Sequence, residues 1–450
     1  MDVEVRARQA VAWADSDDGA RWAFRAIIAG SVVVLYLVGR HQWFVRDDWA
    51  FVFTREKLHQ ALGLDTMLFM AQDGHWMTGP ILIFRGIHAI FGTGSYWPYL
   101  IPTMACHLGI VVMVRKLSLR AGVTPWTATI LAGTLAVFGT GWENIVFAVQ
   151  LTYNMSLLGF LVQLHLIDHD GPPDRRDALG AVAGLVAVSS SGFGPFFVVG
   201  VLTFMVVRKR WKAALIAAGP TGLALAWWWL FWGQDPAGDR LHSSLSAVPG
   251  YVNHALEAVF QSMSAASLIG LSLLATLVVL LWRQRDARAH DLLLSMAIAA
   301  TLMYIGLGIQ RGGLGPDSGA TSRYVYMGAA LLMPAFGVAV DQLARLAAPA
   351  VWAGRLVLMS ATAMNVGALR SNGNDWSNHA AAERNLLEMI AASPSKTTVN
   401  QELAPLWFSP DVRLTDLAEL IADGAIHPLQ PTKPDEQAQV DKALTQPPPP

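Results

Sequence analysis

The residues best suited to chemistry in this 450-residue chain are carboxylates set beside long apolar stretches. Asp47 and Asp48 stand in Arg46-Asp47-Asp48-Trp49, just past the first apolar run. A carboxylate here can take a proton from an acceptor hydroxyl, or hold a divalent cation such as Mg2+ or Mn2+ against a phosphate leaving group. Adjacent residues point in different directions on a regular helix, so one of the pair is expected to do chemistry and the other to orient or bind. Arg46 lowers the cost of the local negative charge in either case. The plainer alternative is an interfacial charge pair that merely stops the apolar run.

Further polar residues follow at intervals. In Asp73-Gly74-His75-Trp76, Asp73 and His75 could share a metal or polarise a hydroxyl, and Trp76 could stack on a ring. Asp47 and Glu143 would complete such a ligand set, although two potential ligands alone do not make a metal site. Glu143 and Asn144 end the Gly139–Asn144 turn, and Gln150, Tyr153 and Asn154 continue along the next apolar segment. Gln150 and Asn154, four apart, share a helix face that should look onto protein or a wet cavity rather than lipid. Interhelical hydrogen bonding explains that stripe equally well. Arg311 precedes two glycines, and Arg323 stands beside Tyr324 at the start of another apolar segment. Either guanidinium could clamp a phosphate through several N–H donors, or snorkel to an interface. Trp227-Trp228-Trp229 reads first as an interface belt and second as a ring-stacking platform.

These residues must be positioned by membrane helices. Apolar residues make up 53% of the chain and charged residues 14%, where soluble domains carry about 25% charge. The net charge of -1 leaves no basic field, which argues against a nucleic-acid partner. The single cysteine, Cys106, cannot form an internal disulfide and reads as a small buried apolar residue. The expected fold is all-α, a polytopic bundle of about eleven spans at 22–39, 98–114, 125–139, 145–167, 178–192, 194–207, 212–232, 262–282, 291–310, 323–342 and 350–368. The first span lacks a small-residue cleavage pattern and is expected to act as an uncleaved signal anchor. The division at Ser189–Pro195 reads as a tight hairpin or a broken helix.

Basic residues give an orientation. With residues 1–21 as a cytoplasmic tail, the inner segments hold Arg115, Lys116, Arg120, Arg175, Arg176, Arg208, Lys209, Arg210, Lys212, Arg283, Arg285, Arg288 and Arg345. The short outer connections hold Arg240 and Arg311. That asymmetry follows the positive-inside rule and predicts a multi-pass protein of the plasma or inner membrane. It also puts the long loop 40–97 and the tail 369–450 outside. Residues 49–70 suit amphipathic helices on the membrane surface, and Pro80–Phe91 an interfacial or re-entrant helix. In the tail, Ala380–Ile390 and Leu414–Ile421 read as helices of a small appendage, and Pro447–Pro450 as extended or disordered chain.

Over residues 22–368 the chain resembles integral-membrane glycosyltransferases of the GT-C type that use polyprenyl-phosphate sugars. The resemblance rests on a first span, an acidic residue near its outer end, a long first outer loop and many further spans. The stretches Asp47-Asp48-Trp49, Gly74-His75-Trp76, Trp142-Glu143-Asn144 and Ser322-Arg323-Tyr324 also look like those of actinobacterial multi-pass membrane proteins. The resemblance implies an inverting sugar transfer outside the cytoplasm, from a polyprenyl-phosphate donor to a cell-envelope glycan, lipid or protein. Asp47 or Asp48 would then be the acceptor's base. Glu143, Arg311, Arg323, Tyr324 and Trp76 would bind substrate, Arg323 at the phosphate. Membrane lipid would be a partner, and a divalent cation is used by some such enzymes and not by others. Two other classes fit the same residues: a lipid or glycolipid transporter, with the acidic pair as a gate or ion site, and a noncatalytic envelope-assembly protein.

Overall fold

The computed structural model describes residues 16–233, 245–265, 270–283, 289–346 and 348–445. Expectations for residues 1–15, Arg240, Arg285, Arg288 and Pro447–Pro450 lie outside the described residues. Nineteen α-helices and no strand occur among the described residues, as an all-α bundle requires. Four helices are long and apolar enough to cross a membrane alone: Asp17–Gly39, Trp97–Arg120, His290–Leu314 and Ser322–Gln342. A fifth candidate is the pair Trp211–Ala217 and Gly219–Phe231, bent by 45°. Each of the eleven expected segments contains helix among the described residues, but most of the remainder are too short or too broken to qualify, and the last lies within a 45-residue helix that does not meet the combined test of length and hydropathy.

In chain order the helices that build the bundle are α1 (Asp17–Gly39), α5 (Trp97–Arg120), α6 (Pro125–Ala136), α8 (Leu151–Ile167), α9 (Arg175–Val188), α10 (Gly194–Val207), α11 (Trp211–Ala217), α12 (Gly219–Phe231), α13 (Val248–Ser264), α14 (Gly270–Arg283), α15 (His290–Arg311), α16 (Ser322–Leu346) and α17 (Ala348–Ala392). The first loop carries α2 (Arg55–Leu62), α3 (Leu64–Phe69) and α4 (Thr78–Phe91), and α7 (Glu143–Val146) precedes α8. The appendage adds α18 (Leu417–Ala422) and α19 (Pro434–Thr445).

Four departures from the sequence expectation shape the site. Residues 49–55 turn inward, while the helices over 56–70 stay largely exposed. Ala50–Thr54 form a π-helical turn running into α2, and Trp49, Phe51 and Phe53 are buried. These aromatics pack inward because Trp49 stacks on Phe53 at 5.5 Å and meets Phe44 at 4.8 Å. The 145–167 segment is broken: α7 ends at Val146 and a 3-10 turn at Ala148–Gln150 precedes α8. The expected 262–282 helix is divided, since α13 closes with Ala265 in the left-handed region (φ 56°). Finally α17 runs for 45 residues, so the last apolar segment and the expected helix at 380–390 are one rod. Its one proline, Pro349, sits in the first turn where it is tolerated, and the helix is tied to the chain just past α1, where Gln42 Nε2 donates to Gly373 O at 2.8 Å.

The charged residues expected on one side of the membrane do gather at one end of the bundle. Arg120 and Arg208 share Asp168, Arg208 also reaches Asp291, and Arg210 meets Asp177 at 3.3 Å. Asp47 and Tyr96 stand at the other end, because α5 starts beside Tyr96 and its 24 residues rise roughly 36 Å to Arg120.

Backbone meets backbone closely where the turn before α7 packs on α17. A Cβ on Gly139 would lie 2.1 Å from both Asn365 O and Leu369 N, which are backbone atoms that cannot swing aside. Gly139→Ala is therefore expected to destabilise the protein by about 1–3 kcal/mol or more, read as a lower Tm of the detergent-purified protein.

Candidate active site

The site is built on a strained corner. Arg46 adopts φ 52°, the left-handed region that a residue with a Cβ occupies at a cost, so its surroundings must hold it there. The corner sends the two aspartates apart. Asp48 is fully buried. Its Oδ2 accepts from the Tyr96 hydroxyl (2.8 Å) and Val45 N (3.3 Å), and its Oδ1 from Val149 N (2.9 Å). Tyr96 in turn accepts from Ala148 N at 2.8 Å. These bonds take up the amides freed by the break between α7 and α8, which is why a largely apolar segment tolerates that break. Burial still pushes the Asp48 carboxyl up to about 8, against the pull of its three donors.

Asp47 points the other way, into a cavity of about 60 Å³ also lined by Phe51, Gln72, Asp73, His75, Gln150, Tyr153, Arg311 and Arg323. Asp47 itself is exposed, open to solvent at the mouth of the cavity, with the other lining residues gathered around its carboxylate. Desolvation by those neighbours raises its pKa, Arg46 and then Arg323 pull it down, and Asp73 and Asp411 push it up. Asp73 also sits at a positive φ (51°), in a tight turn closed by hydrogen bonds between Gln72 and His75. Gln72 is aimed by Arg55, which is buried and donates to Gln72 Oε1 (3.0 Å) and to the carbonyls of Met67 (3.1 Å) and Met70 (3.0 Å). Sequence reasoning passed over Arg55 and Gln72. A lone arginine just after an aromatic run was the available signal.

The remaining candidates separate into those that reach the cavity and those that brace it. Glu143 is a brace, accepting from Arg323 Nη1 (3.1 Å) and Arg323 N (3.2 Å). Tyr324 is buried under both cations, with Arg323 and Arg311 at 5.3 and 5.9 Å from its ring centre. The polar stripe divides too. Asn154 bonds Asn144 and Thr103 O between helices, while Gln150 lines the cavity. Gln150 Oε1 and Arg323 Nε are buried without a partner, as polar atoms at a ligand or water site are.

Trp76 lies outside this cavity. It stacks on Trp228 at 5.7 Å, nearly parallel, and lines an adjoining groove of about 550 Å³ with Phe196, Leu225, Trp228 and Trp229. Trp228 is buried and donates to Phe69 O at 2.8 Å, so the Trp run is partly interior rather than wholly an interface belt. His75 borders both spaces. It fits against Gly192 so closely that a Cβ there would fall 2.0 Å from Nδ1. The Ser189–Pro195 turn therefore positions His75.

Of the suspected metal ligands, Asp47, Asp73 and His75 line one cavity, while Glu143 pairs with Arg323. No three of Asp47, Asp73, His75 and Glu143 bring ligand atoms within 4.8 Å of one another; among the described residues that grouping occurs at His169, Asp174 and Asp177, at the opposite end. Arg210 already sits against His169 and Asp177 there. At the Asp47 cavity Arg311 and Arg323 bring positive charge beside Asp47, Asp73 and His75.

With this geometry in hand, known proteins were compared. No protein-family model matches the chain, and no curated protein sequence does. Among solved structures, ArnT from Cupriavidus metallidurans bound to undecaprenyl phosphate aligns over 92% of this chain and 87% of its own, with TM-score 0.51 and 13% identity. The fold is ArnT-like, of the GT-C type. The apo form of the same protein aligns over 93% of this chain and 87% of its own at 14% identity, with TM-score 0.49. At 13% identity the likeness is one of fold, and it covers nearly the whole chain.

The two aspartates should respond differently to amide substitution. Asp48→Asn turns an NH2 toward a buried donor and is expected to cost about 1–3 kcal/mol. Asp47→Asn should leave Tm nearly unchanged, because Asp47 is exposed. Since the folded Asp48 carboxyl titrates near 8 rather than 3.8, its protonated form favours folding below pH 3.8. That contribution declines as pH rises and is lost once pH passes about 8. Thermal melts across this window should show the decline in the wild type and a flatter profile in Asp48→Asn.

Proposed function

We propose that this protein transfers a sugar from a polyprenyl-phosphate-linked donor to a cell-envelope glycan, lipid or protein, with inversion at the sugar. The observation that carries this reading is the meeting of Asp47 with Arg311 and Arg323 in one polar cavity that adjoins a tryptophan-lined groove at His75. A phosphate needs clustered N–H donors, a polyprenyl chain needs an apolar groove, and a hydroxyl nucleophile needs a carboxylate. The ArnT-like fold supports the same donor class, since that relative is described with undecaprenyl phosphate bound.

In this reading Asp47 accepts the proton of the acceptor hydroxyl as its oxygen attacks the sugar C1. The C1–O bond to the phosphate breaks, and its electron pair leaves with the polyprenyl phosphate. Attack opposite the leaving group inverts the centre. Arg311 and Arg323 oppose the charge that grows on the departing phosphate, which lowers the barrier where it matters. Glu143 keeps Arg323 in place, and Asp48 holds the corner from which Asp47 projects. The raised Asp47 pKa brings the base nearer to working pH. The positive-inside pattern of the sequence supports a cavity on the extracytoplasmic face, with the N-terminus in the cytoplasm and the C-terminus outside.

The test uses the full chain in lipid nanodiscs. Undecaprenyl phosphate should bind about 10–100-fold more weakly to Arg323→Ala than to wild type, as expected for losing charge-assisted hydrogen bonds. Against a panel of labelled polyprenyl-phosphate sugars, Asp47→Asn should lose about 100-fold or more in turnover while retaining donor binding. Wild-type affinity in Arg323→Ala, or wild-type turnover in Asp47→Asn, would remove the proposed phosphate binder or the proposed base.

A further inference from the structure

The C-terminal appendage is fastened to the first loop, and one of its fastenings lands on the residue before Asp47. The Arg46 backbone N–H donates to Ser409 Oγ at 2.7 Å, and the Ser409 hydroxyl donates to Glu383 Oε2 at 2.6 Å. Ser409 is fully buried and Glu383 is 7% exposed. The Arg46 guanidinium covers the Phe408 ring at 4.2 Å. Four residues past the aspartates' π-turn begins, the Thr54 hydroxyl donates to Asp411 Oδ1 at 2.6 Å. The appendage therefore grips both ends of the segment that carries Asp47.

A non-glycine residue stays at positive φ only where its surroundings leave it no alternative. The Arg46 amide makes its bond to a side chain more than 360 positions away rather than to a local carbonyl. Without that acceptor the residue would relax toward the ordinary backbone regions, turning the peptide that leads into Asp47. Asp48 would remain held by Tyr96 and Val149, which belong to other elements.

We propose that Ser409 and Glu383 are positioning residues, which act through the Arg46 amide to aim Asp47 into the cavity. The inference rests on the sugar-transfer reading for its chemical meaning, while its mechanical content concerns only where Asp47 points. In energetic terms the appendage is then part of the site although it contributes no group to the cavity wall.

The experiment is carboxyl footprinting of the full chain in nanodiscs with a carbodiimide and glycine ethyl ester at one fixed pH. Peptide mass spectrometry reads Asp47 against Asp65, an exposed aspartate of α3. Asp47 is exposed like Asp65, and Ser409→Ala and Glu383→Ala are expected to change its relative labelling by about threefold or more, because the carboxylate leaves its place among Arg311, Arg323 and Asp73. Glu383→Gln keeps a carbonyl acceptor for the Ser409 hydroxyl and should label as wild type. Asp48 should stay protected in every variant, which separates loss of aim from unfolding. Unchanged Asp47 labelling in both alanine variants, or Asp47 and Asp48 rising together, would overturn the proposal. Failure of the sugar-transfer reading shows up separately, as absence of transfer by the wild type. Where transfer occurs, Ser409→Ala should lower kcat with little change in KM for the donor, because Arg311 and Arg323 are untouched.

Discussion

The arrangement of the site depends on one buried carboxylate. Asp48 gathers donors from Val45 in the first loop, Tyr96 at the start of α5 and Val149 in the break before α8. Three separate stretches of chain are thereby fixed at one point. Each would otherwise carry unpaired backbone or hydroxyl groups within an apolar bundle, where such groups cost most. The break at Phe147–Gln150 is stable because Asp48 and Tyr96 replace its missing helical bonds, and the same break turns Gln150 toward the cavity. With Asp48 held inside, the left-handed corner at Arg46 leaves Asp47 pointing out into that cavity.

Around this anchor the charged residues follow a consistent division. Those that line the cavity are braced by others that do not: Arg323 by Glu143, Gln72 by Arg55, His75 by its seat on Gly192. A supported polar side chain keeps its geometry when water leaves, and unsupported ones would not. At the opposite end of the bundle, Asp168, Asp177 and Asp291 pair with arginines and His169, and Asp177 also caps a helix. Both ends hold carboxylates beside cations. Of the two, the Asp47 end pairs its charges incompletely and opens onto a cavity.

Much of this was legible in the residue order. The apolar runs required a helical membrane bundle, and the parity of those runs put Asp47, Asp73, Glu143, Arg311 and Arg323 at the same end of it. Four of these five line one cavity, and the fifth anchors Arg323. What could not be read was side-chain direction. Asp47 and Asp48 are adjacent and chemically identical, and a single backbone angle at Arg46 separates their roles. Trp76 and Trp228 likewise look like interface residues until their stacking is seen. The length of α17 was missed because hydropathy falls after residue 368 while helical propensity does not, through the alanines that follow.

The sequence by itself determined the solvent, the secondary structure and the side of the bundle on which chemistry is possible, because apolar run length and charge asymmetry act locally along the chain. Tertiary structure decided which aspartate faces the cavity, which acid braces an arginine and how the C-terminal appendage is joined to the first loop. Those outcomes rest on hydrogen bonds between residues as far apart as Arg46 and Ser409. Such a bond depends on backbone angles and burial at both of its ends, and no local pattern of residues encodes it.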